Sequence, residues 1–220
     1  EQVMLYTSVA KGIKPPTYNT TDLNDPSIAA VGREKLWTYE VGAKSTLNDG
    51  TLLLNGAIYF NDYSDQQVRV QFPNPGAVVP RSGTVNAGEV TVWGAEIDAS
   101  WLPTDRWLLN LSLAFNDGEY DDLVLAEVQT SGAPLSRSEL VKAGNLQGDF
   151  SGNTTPGTPE LAGSLLGRYT APLTADLDWY LQSVVTYQDE RYADTANLVT
   201  LDSYWLVNAQ AGIEREQWFV

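Results

Sequence analysis

Along residues 107–116, WLLNLSLAFN, apolar side chains fall on every second position. Trp107, Leu109, Leu111, Leu113 and Phe115 share one side, and Leu108, Asn110, Ser112, Ala114 and Asn116 share the other. A period of two is that of a β-strand, whose successive side chains leave opposite faces. The same alternation runs through 36–47, where Trp37, Tyr39, Val41, Ala43 and Leu47 oppose Thr38, Glu40, Gly42, Lys44 and Thr46, and again through 89–102 and 204–214. Nine strands are predicted: 3–11, 36–47, 51–63 with a continuation to 71, 89–102, 107–116, 161–170, 177–187, 204–214, and one starting at 218. The facing of 3–11 is ambiguous from its pattern alone.

The predicted connections alternate between short (48–50, 103–105, 171–176, 214–217) and long (12–35, 72–88, 117–160, 188–203). Gly, Pro, Asn or Asp supplies turn geometry in the first three short ones. Loops as long as the others are uncommon in a compact soluble domain, whereas short turns on one side and long loops on the other characterise outer-membrane barrels. Trp37, Trp93, Trp101, Trp107, Trp179 and Trp205 all fall on the apolar side of their strands. In a membrane barrel that side meets lipid, with rings at both headgroup levels. With short turns placed on the periplasmic side, Trp101, Trp107, Tyr169, Trp179 and Trp218 form one aromatic belt, and Trp37, Tyr63, Tyr187 and Trp205 the other. The expected fold is all-β: part of an antiparallel transmembrane β-barrel.

Composition narrows the function. No stretch approaches the roughly 18 apolar residues of a membrane helix, so any spanning falls to strands. The chain has no Cys and no His, which removes disulfides, thiolate metal sites and the commonest acid/base group. With 13 basic against 28 acidic residues, a net −15, nucleic acid is excluded as a partner of choice. The acidity suits either the solubility of long loops or the attraction of cationic ligands.

Several strings, in order, resemble the C-terminal barrel half of TonB-dependent outer-membrane receptors: LYTSVAKGIKPPTYN at 5–19, WTYEVGAKSTL at 37–47, AIYFNDYSDQQV at 57–68, VNAGEVTVWGAEIDASW at 85–101, TPEL at 158–161 and LVNAQAGIE at 206–214. Ile13 stands where the first string has an aromatic residue in that family. The resemblance implies about nine strands of a 22-stranded barrel over 1–220, with the N-terminal plug, the TonB box and the closing strands outside this chain. It implies a bacterial outer-membrane receptor that binds a scarce nutrient (ferric siderophore, cobalamin, haem or carbohydrate) at extracellular loops. Import would be driven by the TonB–ExbB–ExbD complex acting on the plug, amid outer-membrane lipid and lipopolysaccharide, with no cofactor and no catalysis.

By the same resemblance Glu40 and Glu96 match positions that face the plug and pair with its arginines, and simple solvation of a polar lumen is the other reading. Lys44, Asp98 and Arg168 share that polar side. Ligand-binding candidates near the long-loop end are Lys14, Tyr18, Gln66, Gln67, Arg69, Asp189, Arg191 and Tyr192, together with Glu190. Asp117, Glu119 and Asp121 have the alternate-oxygen spacing that opens some Ca²⁺ loops, but neither the Gly nor the bidentate Glu of an EF-hand follows; they are read as a solvated strand tip, with Ca²⁺ the alternative. Two other architectures fit parts of the pattern: a passive porin and a soluble β-sandwich for binding or adhesion.

Overall fold

The computed structural model describes residues 1–18, 30–72, 81–86, 88–125 and 148–215. Eight long strands form one antiparallel sheet in chain order: β1 Gln2–Lys14, β2 Glu34–Leu47, β3 Leu52–Ser64, β4 Glu89–Thr104, β5 Trp107–Tyr120, β6 Leu161–Pro172, β7 Asp178–Gln188 and β8 Tyr204–Glu214. Each pairs only with its neighbours in sequence, and the sheet is open, with β1 and β8 at its edges. The ninth expected strand, at 218, lies outside the described residues.

Six of the eight strands, at 12 to 16 residues, exceed the roughly 9–11 that cross a bilayer, and β7 and β8, at 11, match it. The tight turn between β2 and β3 holds Asn48, Asp49 and Gly50 at φ of 51°, 55° and 90°. These residue types tolerate the left-handed region, and the Thr51 N–H donates to the Asn48 carbonyl at 3.1 Å.

Register fixes which residues share a face. One row across the sheet reads Leu5, Ala43, Gly56, Ile97, Leu113, Gly163, Tyr187 and Trp205; the next row over reads Tyr6, Gly42, Ala57, Glu96, Ala114, Ala162, Gln188 and Tyr204. The first face is apolar throughout its middle and stays uncovered, with Val41, Ile58 and Trp205 each more than 60% exposed. A soluble sandwich would pack a second sheet there, and among the described residues none does. A face of this extent and chemistry marks contact with a protein or a membrane. The ambiguity of the first strand is resolved by its pairing: Val3, Leu5 and Val9 join the apolar face, and Met4 and Tyr6 the polar one.

Aromatic rings cluster on the apolar face. Tyr39, Phe60 and Trp93 run side by side across β2, β3 and β4, with centroids 6.3 and 4.5 Å apart. Trp107, Tyr169 and Trp179 run across β5, β6 and β7 at 5.0 and 5.6 Å, and Tyr187 meets Trp205 at 4.6 Å. Such pairs contribute about 0.5–1.5 kcal/mol each beyond area burial.

Two expectations are corrected. The strand beginning at 51 does not continue to 71. It ends at Ser64, where Asp65 takes a φ of 58°, and Gln67–Phe72 pairs instead with Arg81–Asn86 as a separate hairpin. Tyr63 does not belong to an apolar-face belt. It pairs with Val90 on the polar face and packs against a buried cluster of Val90, Tyr120, Leu123, Phe150 and Ala196. That cluster is the one closed core among the described residues, and it sits at the long-loop end.

Candidate functional site

The polar face carries the charged residues singled out in the sequence. Glu40 on β2 and Glu96 on β4 lie on adjacent rows with β3 between them: Glu40 stands opposite Tyr59, and Glu96 opposite Ala57. At a strand spacing of about 4.8 Å, two strands put the carboxylates' backbones roughly 10 Å apart across the sheet. Two tyrosines lie against them. The Tyr6 ring crosses Gly42 and its hydroxyl reaches Glu40. The Tyr59 ring crosses Gly94 and its hydroxyl donates to Asn116 Oδ1.

Asp98, one row from Glu96, accepts a hydrogen bond from Ser112 Oγ at 2.6 Å. None of Glu40, Glu96 and Asp98 makes an ion pair with a described residue; the pairs that form are Lys14–Glu34, Lys35–Asp65, Arg168–Glu214 and Arg215–Asp176. Lys44, the nearby cation on the same face, sits 5.8 Å from the Tyr6 ring centroid.

Glu96 and Asp98 form one side of a hollow of about 370 Å³ on this wall. Its floor is made of the small residues Ser112, Ala114, Ala162 and Ser164, and Thr186 and Gln188 stand on the far side. Two cross-strand pairs of small side chains on adjacent rows, Ser112 with Ser164 and Ala114 with Ala162, leave the space.

Arg168 faces the same side but is engaged. Its guanidinium bonds Glu214 at 2.5 Å and lies 4.1 Å over the Tyr180 ring, which in turn covers Gly212. It braces β6, β7 and β8 rather than projecting toward a partner.

The ligand candidates do not converge on one point. Lys14 pairs with Glu34 at 3.8 Å, and the same carboxylate accepts the Gln67 N–H at 2.7 Å. The Gln67 amide donates to the carbonyls of Pro15 and Gly32, both at 2.9 Å. Asn86, which the pattern did not single out, accepts from the Gly32 N–H and donates to the Asp65 carbonyl. Together Gln67 and Asn86 stitch the base of the first long loop to the hairpin after β3. Arg69 stands in that hairpin opposite Thr84. Tyr18 is exposed and pairs with Ala30. The Gln66 Oε1 is buried without a hydrogen-bond partner.

On the other side of the sheet Asp189 accepts from the Tyr187 hydroxyl at 3.1 Å, while Arg191 and Tyr192 pair with Leu201 and Thr200 in a small hairpin. The spaced carboxylates also stay apart. Asp117 and Glu119 stand opposite Trp93 and Thr91 on the apolar-face side, and Asp121 accepts from Thr91 Oγ1 at 3.2 Å. Among the described residues no group of three or more potential ligands is arranged to hold a metal ion.

What sequence reading missed are the tyrosines beside the carboxylates and the small-residue floor. Their only linear signal was a Gly or Ala on the polar side of a strand, which becomes meaningful once register says what stands opposite.

Comparison with known proteins agrees with this architecture. The family described as TonB dependent receptor-like, beta-barrel matches residues 1–218. Among solved structures, the ferric yersiniabactin uptake receptor FyuA from Yersinia pestis superposes with a TM-score of 0.68 at 18% identity over 97% of this chain and 27% of its own. The siderophore receptor PiuA from Acinetobacter baumannii gives 0.64 at 23% over 98% and 28%. The copper transporter OprC gives 0.62 at 16% over 95% and 29%. The chain thus spans under a third of the length of these structures. Carried by the family match along nearly its whole length, the chain belongs to the TonB-dependent receptor-like β-barrel family.

Proposed function

We propose that this chain forms part of the wall of a bacterial outer-membrane receptor that captures a scarce nutrient on its long-loop side and imports it with TonB-coupled energy. In this reading the apolar face meets lipid and lipopolysaccharide, and the polar face encloses a plug domain lying outside this chain. The observation that carries it is the set of three carboxylates, Glu40, Glu96 and Asp98, that make no ion pair with any described residue, Lys44 on the same face included, and so leave a cation to be supplied. A plug arginine entering the hollow beside Glu96 supplies that cation. Catalysis is not part of this reading, in keeping with the family the chain belongs to.

Cargo is left at the level of a small nutrient. The similar structures are named a ferric yersiniabactin uptake receptor, a siderophore receptor and a copper transporter, and at these identities the likeness shows the fold alone.

The test is Glu40→Gln and Glu96→Gln, singly and together, in the full-length parent, with energised uptake of ferric siderophores, copper and cobalamin and with leak of small solutes from vesicles. Loss of uptake or onset of leak, with the barrel still assembled, supports a plugged and gated receptor. A wild-type protein that leaks freely and ignores both substitutions and the proton-motive force is an open pore, and the reading is then wrong.

A further inference from the structure

Two long loops meet over the polar wall. Residues 150–157 return toward β6, and 191–201 form a small hairpin after β7. Residues 152–155 run edge to edge with the end of β5, Thr154 bridging Glu119, and side chains of both segments reach the polar face. Phe150 and Ala196 pack with Val90, Tyr120 and Leu123, and Val90, Tyr120 and Gly118 belong to the polar-face rows of β4 and β5. Thr155 rests on Gly118 so closely that a Cβ added there would come 2.4 Å from Thr155 Oγ1.

The first segment is bonded to the wall. The Phe150 N–H donates to the Leu123 carbonyl at 2.8 Å, that of Gly152 to Tyr120 at 2.8 Å, and that of Thr155 to Gly118 at 2.8 Å. The second is bonded to the first. The Asn197 side chain pairs with Thr154 in both directions, its Oδ1 accepting the Thr154 N–H at 2.8 Å and its Nδ2 donating to the Thr154 carbonyl at 2.9 Å. Asn153 Nδ2 donates to the Thr195 carbonyl at 2.8 Å, and the Gly157 N–H donates to the Tyr192 carbonyl at 2.8 Å. Within the hairpin, the Asp194 carboxylate collects the N–H groups of Ala196, Leu198 and Val199. Asn197 itself sits at a φ of 53°, where few residues other than Gly and Asn rest without strain.

We infer that residues 150–157 and 191–201 form a single preformed rim, clasped by Asn197 and fixed to the inner wall, rather than two loops that open and close independently. A side-chain amide that mimics a β-ladder between two loops, above a shared apolar core, couples their opening: one segment cannot leave the wall without exposing Ala196 and Phe150 together. Solute entering from the long-loop side therefore meets a fixed edge at these residues. This inference is independent of which solute the parent carries.

The experiment is hydrogen exchange on the full-length parent in micelles, resolved at single amides by fragmentation after labelling. Asn197→Gly keeps the left-handed backbone and removes only the amide. The reporters are the N–H groups of Phe150, Gly152 and Thr155, none of which bonds to the hairpin. The clasp predicts that they exchange about tenfold faster or more in the variant, together with Ala193, whose N–H bonds Val199. In the reciprocal variant, Phe150→Ala, the Ala193 amide accelerates as well. If each substitution speeds exchange only within its own segment, the two loops move separately and the inference is overturned.

Discussion

Tyr59 lies flat over Gly94: the two face each other across β3 and β4, and a Cβ placed on the glycine would come 2.1 Å from the tyrosine Cζ. Tyr6 over Gly42 and Tyr180 over Gly212 repeat the arrangement. In each, an aromatic ring covers backbone that glycine leaves bare, and the glycine gives the ring its seat. All three lie on the polar face, where they stiffen the wall beside the unpaired carboxylates and beside Arg168.

Gly94→Ala therefore displaces Tyr59 and breaks its bond to Asn116. Overpacking of this kind costs about 1–3 kcal/mol. Reversible urea unfolding in lipid vesicles should show that loss, whereas Gly50→Ala, whose added Cβ has no neighbour within 4 Å, loses stability only through its positive φ. Equal effects with Tyr59 already replaced by Ala would contradict the seating.

The Arg168–Glu214 pair joins β6 to β8 across the intervening Tyr180. Both partners are partly exposed, so the pair contributes about 0.2–1 kcal/mol, with about 0.5–1 kcal/mol more from the ring. A double-mutant cycle of Arg168→Met and Tyr180→Leu is expected to show coupling near 1 kcal/mol. Coupling indistinguishable from zero would mean the stack is incidental.

Thr195 is 6% exposed and its Oγ1 has no hydrogen-bond partner. Removing a buried hydroxyl that bonds nothing costs little and relieves a desolvation penalty. Thr195→Val is thus expected to be neutral or slightly stabilising, within about 1 kcal/mol, in the same unfolding assay. A clear loss of stability would show that the hydroxyl has a partner in solution.

Asp149 is held below the usual carboxylate range by hydrogen bonds from the Ser151 side chain and N–H. A depressed folded-state value means that the ionised form favours the turn. Its contribution is fully present above the ordinary value of 3.8 and is lost as pH falls through the lower folded-state value. Order in the turn at 149–152, followed by carbon-detected NMR of labelled Asp, is expected to persist at pH 4 and to decline only below 3.8. A transition centred above 3.8 would reverse the sign.

The strand pattern was legible because one face needed to be apolar for its whole length, and alternation at Trp107 to Phe115 or Trp205 to Ile213 leaves a single choice of which residues face it. It failed where that need stopped. Tyr63 lies past the apolar stretch, where the inner face is covered by loops folding back over Val90 and Tyr120, and no local pattern announces a loop's return. The break at Asp65 was written in the polar run Ser64, Asp65, Gln66, but the alternation of Val68 and Val70 beyond it reads the same whether the strand continues or a hairpin begins. Of the site, the carboxylates were visible by their face. Arg168's engagement with Glu214, 46 residues away, and the clasp at Asn197 depend on pairings between distant strands and loops, which a single sequence does not specify.

A membrane wall of this kind requires the apolar face of the sheet to meet lipid. The absence of cysteine in this chain makes nitroxide labelling direct once any cysteines elsewhere in the parent are replaced. Labels placed singly at 94 to 100 on β4 of the full-length protein in bilayers are read for collision with oxygen and with a water-soluble nickel chelate. The account predicts alternation: odd positions, with Ile97 and Ala99, favour oxygen, and even positions, with Glu96 and Asp98, are shielded from it. The reverse alternation, or none, would contradict a membrane wall with an acidic inner face.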